Sequence, residues 1–238
     1  MQIPAHVLAA FQAEGAGEPV AAAWGPAQRF GRMVIAPAPE HAAWSGKVRE
    51  RITGLTPGLR VSRPVRATDG RLVVGGLTAT EFVPGSPAAR IDEVIAGTLL
   101  FDGALHGVEA PPNLEGESAS PWVDADRDIF SGLRHADDHV VAHLDFLSSC
   151  LFDGSAPPSL IGIAPSLELR PRGYTAALVI VDGLLAHAVD PRVVQRWAHI
   201  PRLPELCRLA LKVRELGWSR TDSNKRADFR RVAEILPA

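Results

Sequence analysis

The sequence predicts an α+β chain: a small antiparallel sheet carrying one helix over residues 1–84, then a mostly helical region over 85–238. Three observations predict it. Short β-rich runs punctuated by Gly and Pro fill the first part, one amphipathic stretch interrupts them, and apolar residues recur at helical spacing after Pro84-Gly85. The chain has 238 residues, 46% of them apolar, enough to bury a substantial core.

Each element follows from local pattern. Val7, Leu8 and Phe11 predict a short helix over Pro4 to Phe11, ended by Glu14-Gly15-Ala16-Gly17. Pro19 to Trp24 and Phe30 to Ala36 read as two strands of a hairpin turning at Gly25-Pro26. Glu40 to Leu55 sets Trp44, Val48, Ile52 and Leu55 on one helix face and Lys47, Glu50 and Arg51 on the other. Arg60 to Val65 and Arg71 to Val83 read as strands joined by Thr68-Asp69-Gly70, where Gly accepts positive φ. A helix over Ala88 to His106, a loop over Gly107 to Ser120 and a short helix over Asp124 to Gly132 come next. Val140-Val141, Leu151-Phe152 and Leu160 to Ile163 are three short β-like pieces. Helical spacing resumes at Tyr174 to Ala188, Pro191 to His199, Leu203 to Leu216 and Asn224 to Leu236.

Composition excludes several classes. Net charge is -2 and no block of Lys or Arg stands out, which argues against nucleic acid or a membrane surface as partner and leaves a small molecule or a protein. Cys150 and Cys207 lie far apart without a C-x-x-C spacing, so neither a disulfide framework nor a zinc ribbon is expected. The N-terminus lacks a basic, apolar leader, and no run approaches a membrane span, so a cytoplasmic protein is expected. Arg far outnumbers Lys, whose only positions are Lys47, Lys212 and Lys225; with abundant Ala, Gly and Pro this suggests a bacterial, GC-rich coding bias.

The run Val140-Val141-Ala142-His143-Leu144-Asp145-Phe146 delivers a His and a carboxylate, two residues apart, into a loop. Together with Asp153-Gly154 and Ser159-Leu160-Ile161-Gly162-Ile163 behind it, this layout resembles the aminoglycoside phosphotransferases and, most closely, uncharacterised bacterial relatives of theirs. In that family a loop of the form H-G-D-L-x-x-x-N precedes a hairpin ending in I-D-F. Trp44, Thr78 to Gly85, Leu100 to His106, Ala176 to Asp182 and Arg196 to Pro201 support the resemblance by their order. It implies a two-lobed, protein-kinase-like fold with a small antiparallel-sheet N-lobe and a mostly helical C-lobe. It further implies Asp145 as the vestigial catalytic residue, with His143 and Asp182 as structural supports, and Glu81, Phe82 and Val83 as the lobe connector whose backbone would receive a nucleotide base.

Enzymes of this kind neutralise phosphate with a strand Lys, metal ions and a loop Asp. By the resemblance, the metal-binding Asn falls at Cys150, the metal-binding Asp at Gly162 and the strand Lys at Ala36; Arg32 would reach phosphate only from a different position. The sequence therefore implies a degenerate phosphotransferase, a pseudokinase kept as a non-catalytic ligand- or partner-binding module with no cofactor expected. One alternative is a divergent small-molecule kinase using Asp145 with ATP or GTP and magnesium. Another is a metal-dependent hydrolase on His135, His139 and His143, whose four-residue spacing would present a metal-binding face on one continuous helix, whereas a strand through Val140-Val141 would break that face and put His139 and His143 on the same side as Val141. Asp145 also reads as a loop-capping carboxylate, and Cys150 as a nucleophile lacks an evident orienting group.

Overall fold

The computed structural model describes residues 2–112, 120–132, 138–219 and 226–236. In chain order its first elements are α1 (Ala5–Ala10), β1 (Glu18–Pro19), a 3-10 turn (Ala22–Trp24), β2 (Gln28–Phe30), β3 (Met33–Pro37), α2 (Ala42–Ile52), β4 (Arg60–Val61), β5 (Pro64–Val65), β6 (Val73–Val74) and β7 (Leu77–Glu81). They are followed by α3 (Ile91–Ala104), α4 (Pro121–Phe130), β8 (His139–His143), β9 (Cys150–Leu151), β10 (Ser159–Leu160), β11 (Pro165–Pro171), α5 (Tyr174–Leu185), α6 (Val193–Arg196), α7 (Leu203–Ser219) and α8 (Arg226–Ile235).

Two compact units result: the described residues up to Ala88 with Ser148–Ile163, and Ala89–Leu147 with those from Ala164 onward. The first contains an antiparallel sheet of order β1-β2-β3-β7-β5, with β6 also paired to β7. Strand alternation sorts its side chains. Ile35, Leu77 and Ala79 pack with Val7 and Phe11 of the α1 region in one apolar core. Register sets Val34 opposite Thr80 and Ala36 opposite Thr78, so these four residues share the other face.

Glycines cut two expected strands. β1 and β2 pair antiparallel across the connection that contains Gly25-Pro26, and Phe30 pairs with Met33 around Gly31, at φ +56°, so a second turn lies inside the predicted Phe30 to Ala36 strand. Gly75 and Gly76, at φ +57° and +74°, form the two-residue turn that divides Arg71 to Val83 into β6 and β7. On α2 the buried face runs through Ala42, Ser45, Val48, Arg49 and Ile52, whereas Trp44 is half-buried and Leu55 is 62% exposed. The expected apolar stripe is thus turned toward Ser45 and Arg49.

Ser148–Ile163 joins the first unit, although the boundary at Pro84-Gly85 assigned it to the helical region. Strand β10 runs parallel to β4 and antiparallel to β9, with Arg60 N–H donating to Pro158 O and Ser62 N–H to Leu160 O, both at 2.9 Å. Gly85 allows its backbone to meet Phe152: a Cβ there would lie 2.6 Å from the Phe152 carbonyl oxygen.

In the second unit α5 is the central helix; of its twelve residues only Asp182 is not buried. It packs with α3 and α7, and α4 packs on α7. Strand β11, absent from the sequence reading because Pro165, Pro171 and alternating polar residues mask it, pairs antiparallel with β8. Arg170 of β11 holds Asp126 of α4 at 2.7 Å, both side chains buried, and lies over the Phe130 ring. No described helix is long and apolar enough to cross a membrane.

Candidate functional site

The sheet face that bears Val34, Ala36, Thr78 and Thr80 does not close against α2. A cavity of about 250 Å³ remains, lined also by Trp24, Ala42, Ser45, Arg49, Ser149, Ile161, Gly162 and Ile163, all of the first unit. Ala36 and Gly162, the positions implied for the strand Lys and the metal-binding Asp, therefore line one cavity. Kinases pair a strand Lys with a Glu on the neighbouring helix; here the strand position is alanine, and α2 brings the cavity's one charged lining residue, Arg49. The sequence reading missed Arg49. The available signal was a charged residue between Val48 and Ile52 on an apolar face, four residues after Ser45.

Arg49 is 4% exposed. Its Nη1 donates to Ser62 O at 3.0 Å, Ile161 O at 3.3 Å and Thr80 Oγ1 at 3.4 Å, and its Nε has no hydrogen-bond partner. Burial lowers the guanidinium from its ordinary value to about 10, opposed by the charge of Glu50. It remains a cation at neutral pH.

The donor set does not fit magnesium. Gly162 offers no side chain, and Cys150, 1% exposed on β9, carries a thiol that burial pushes up to about 12. A hard divalent cation requires oxygen ligands and a deprotonated donor. The same burial removes Cys150 as a nucleophile.

In the connector, Glu81 N–H donates to Arg63 O and Phe82 N–H to Arg32 O, each at 2.8 Å, while Glu81 O accepts from Ser62 Oγ at 2.6 Å. Val83 is fully buried. Three backbone groups of the expected nucleotide slot are thus already engaged.

His143, Asp145 and Asp182 lie in the second unit. His143 ends β8, fully buried, edge-on to Phe101 and Phe146 with ring centroids 5.7 and 5.2 Å away. Asp145 N–H donates to His143 Nδ1 at 3.1 Å and Ala164 N–H to Nε2 at 3.4 Å, so the imidazole bends the loop back on itself and ties it to the start of β11. Asp182, expected to steady His143, instead clasps Arg214: Nε to Oδ1 at 2.6 Å and Nη2 to Oδ2 at 2.7 Å. Arg214 Nη2 also donates to Leu144 O at 2.8 Å, and its guanidinium stands over Trp122. Asp182 thus supports the loop through an arginine that the sequence reading did not single out. Asp145 itself is half-buried, and its charge acts on Arg214.

Of the histidine series only His139 and His143 lie among the described residues, and His135 lies outside them. His139 and His143 lie on a strand, which removes the helical face. Among the described residues, no group of three His, Cys, Asp or Glu side chains is placed to hold a metal ion.

No family model and no curated protein sequence matches the chain. Among solved structures it is similar to spectinomycin phosphotransferase, APH(9)-Ia, in complex with ADP and spectinomycin. The identity is 10% and the TM-score 0.52, over 89% of this chain and 85% of that one. The chain therefore has an α+β, kinase-like fold of the aminoglycoside phosphotransferase type.

Proposed function

We propose that this protein has given up phosphoryl transfer and serves as a small-molecule-binding module, a pseudokinase of the bacterial cytoplasm. The observation that carries the reading is the charge inventory of the first unit's cavity. Ala36 and Gly162 contribute no charged group to it, and Arg49 is the one charged side chain in its lining. Phosphoryl transfer depends on neutralising charge spread over the transferred group, and each missing donor costs roughly a hundredfold in rate. Asp145 survives without those partners. It sits in a loop that His143 and the Arg214–Asp182 pair hold in shape, which is work a non-catalytic protein also needs. The buried thiols of Cys150 and Cys207, both free, agree with a reducing compartment.

Calorimetric titration with ATP and GTP, with and without magnesium, tests the reading alongside a phosphoryl-transfer assay. We expect no magnesium-dependent tightening and no turnover. Magnesium-dependent phosphorylation of a small-molecule hydroxyl, abolished by Asp145→Asn, would refute it and restore a divergent kinase.

A further inference from the structure

We infer that the cavity of the first unit is a metal-independent site for a small oxyanion, a carboxylate or phosphate group on a compact apolar body, with Arg49 as its counter-charge. The inference rests on the binding-module reading and gives that module a site and a ligand class. No acidic residue lines the cavity, and no acid forms an ion pair with Arg49 among the described residues. The carboxylate that acts on it electrostatically, Glu50, is taken by Arg66, which donates from Nε at 2.7 Å and Nη2 at 2.5 Å.

A guanidinium removed from water and met only by neutral acceptors carries an uncompensated desolvation cost. Here those acceptors are two carbonyls and one hydroxyl at 3.0 to 3.5 Å, and Nε has none. An incoming oxyanion supplies the missing charge, and the partly apolar wall strengthens that attraction relative to bulk water. Ser45 and Thr78 add polar atoms to the lining, while Trp24, Val34 and Ile163 supply apolar wall. At about 250 Å³ the space lies just below the range usual for drug-sized ligands, which sets the expected body at single-ring size.

Removing Arg49 would also release the Ser62 link between β4 and β5, Thr80 of β7 and the Ile161 segment, so the decisive variant leaves it in place. Gly162→Asp adds a carboxylate to the same lining, and a Cβ at Gly162 meets no heavy atom within 4 Å. Purified protein with a chelator present is titrated calorimetrically with inorganic phosphate, phenyl phosphate and benzoate at fixed ionic strength. We expect saturable binding of phenyl phosphate or benzoate. Gly162→Asp should weaken it by about tenfold or more with the thermal midpoint retained. The preferred probe distinguishes a phosphate from a carboxylate head.

Absence of saturable binding by all three anions, a requirement for magnesium, or unchanged affinity in Gly162→Asp overturns the inference. Phosphoryl transfer with anion binding intact would count against the pseudokinase reading alone.

Discussion

Arg214→Met removes three contacts at once. Two are the paired bonds to Asp182 at 2.6 and 2.7 Å, and the third is the 2.8 Å bond to the Leu144 carbonyl just before Asp145. Arg214 is 2% exposed and the Asp182 side chain 22%, so the substitution strands a mostly buried carboxylate. Breaking a buried pair by deleting one partner costs about 3–5 kcal/mol. The partial exposure of Asp182 puts this pair at the lower end, and the orphaned Leu144 carbonyl adds about 1 kcal/mol. A loss of ~4 kcal/mol follows, which for a chain of this length lowers the thermal midpoint by roughly 10 °C. Urea unfolding of the wild type, Arg214→Met, Asp182→Leu and the double variant closes a mutant cycle. The double variant should recover about 2 kcal/mol relative to additivity, because no unpaired charge remains. Simple additivity, or a loss below about 1 kcal/mol for Arg214→Met, would refute the assignment of Arg214 as the anchor of the loop.

Burial raises the Asp102 carboxyl from its ordinary 3.8 to about 6, against the opposing Gly173 N–H, Thr175 and Arg172. The raised value means that stability from this group is fully present below pH 3.8 and is lost as pH rises through 6. Relative to Asp102→Asn, whose amide oxygen still accepts from Gly173, the wild type should lose ~3 kcal/mol between about pH 4 and pH 7. A flat difference across that window in denaturant titrations contradicts this. Cys150 and Cys207 are buried, with thiols pushed up to about 12, so native protein at pH 8 should resist iodoacetamide and take up two equivalents in urea. Rapid labelling of Cys150 in the native state, read by mass spectrometry, would reinstate it as a reactive group.

Local pattern was a good guide wherever one face of an element meets one environment. The helices after Tyr174 and the turn at Thr68-Asp69-Gly70 appear where periodicity and turn chemistry placed them; Gly70 has φ +85° and its N–H donates to Ala67 O. The same reasoning lost β11, because prolines at both ends and the alternating polar residues Ser166, Glu168 and Arg170, two of them buried, imitate a loop. It rotated the face of α2, because a buried arginine counts as a surface residue in any apolar tally. His143 and Asp145 were legible as a pair since they lie two residues apart, and one loop hydrogen bond links them.

From the sequence alone came the order of sheet and helices, the lack of a lysine on the first-unit strands and the placement of His143 before Asp145, since residue type and short-range spacing need no tertiary information. Only the tertiary structure decided that Ala36 and Gly162 line one cavity. It also decided that Asp182 binds Arg214, 32 positions away, and that Arg49 reaches Ile161 across 112 positions. Such contacts are set by which buried faces close on one another. A buried charge is satisfied by whatever packing brings within about 3 Å, at any separation along the chain.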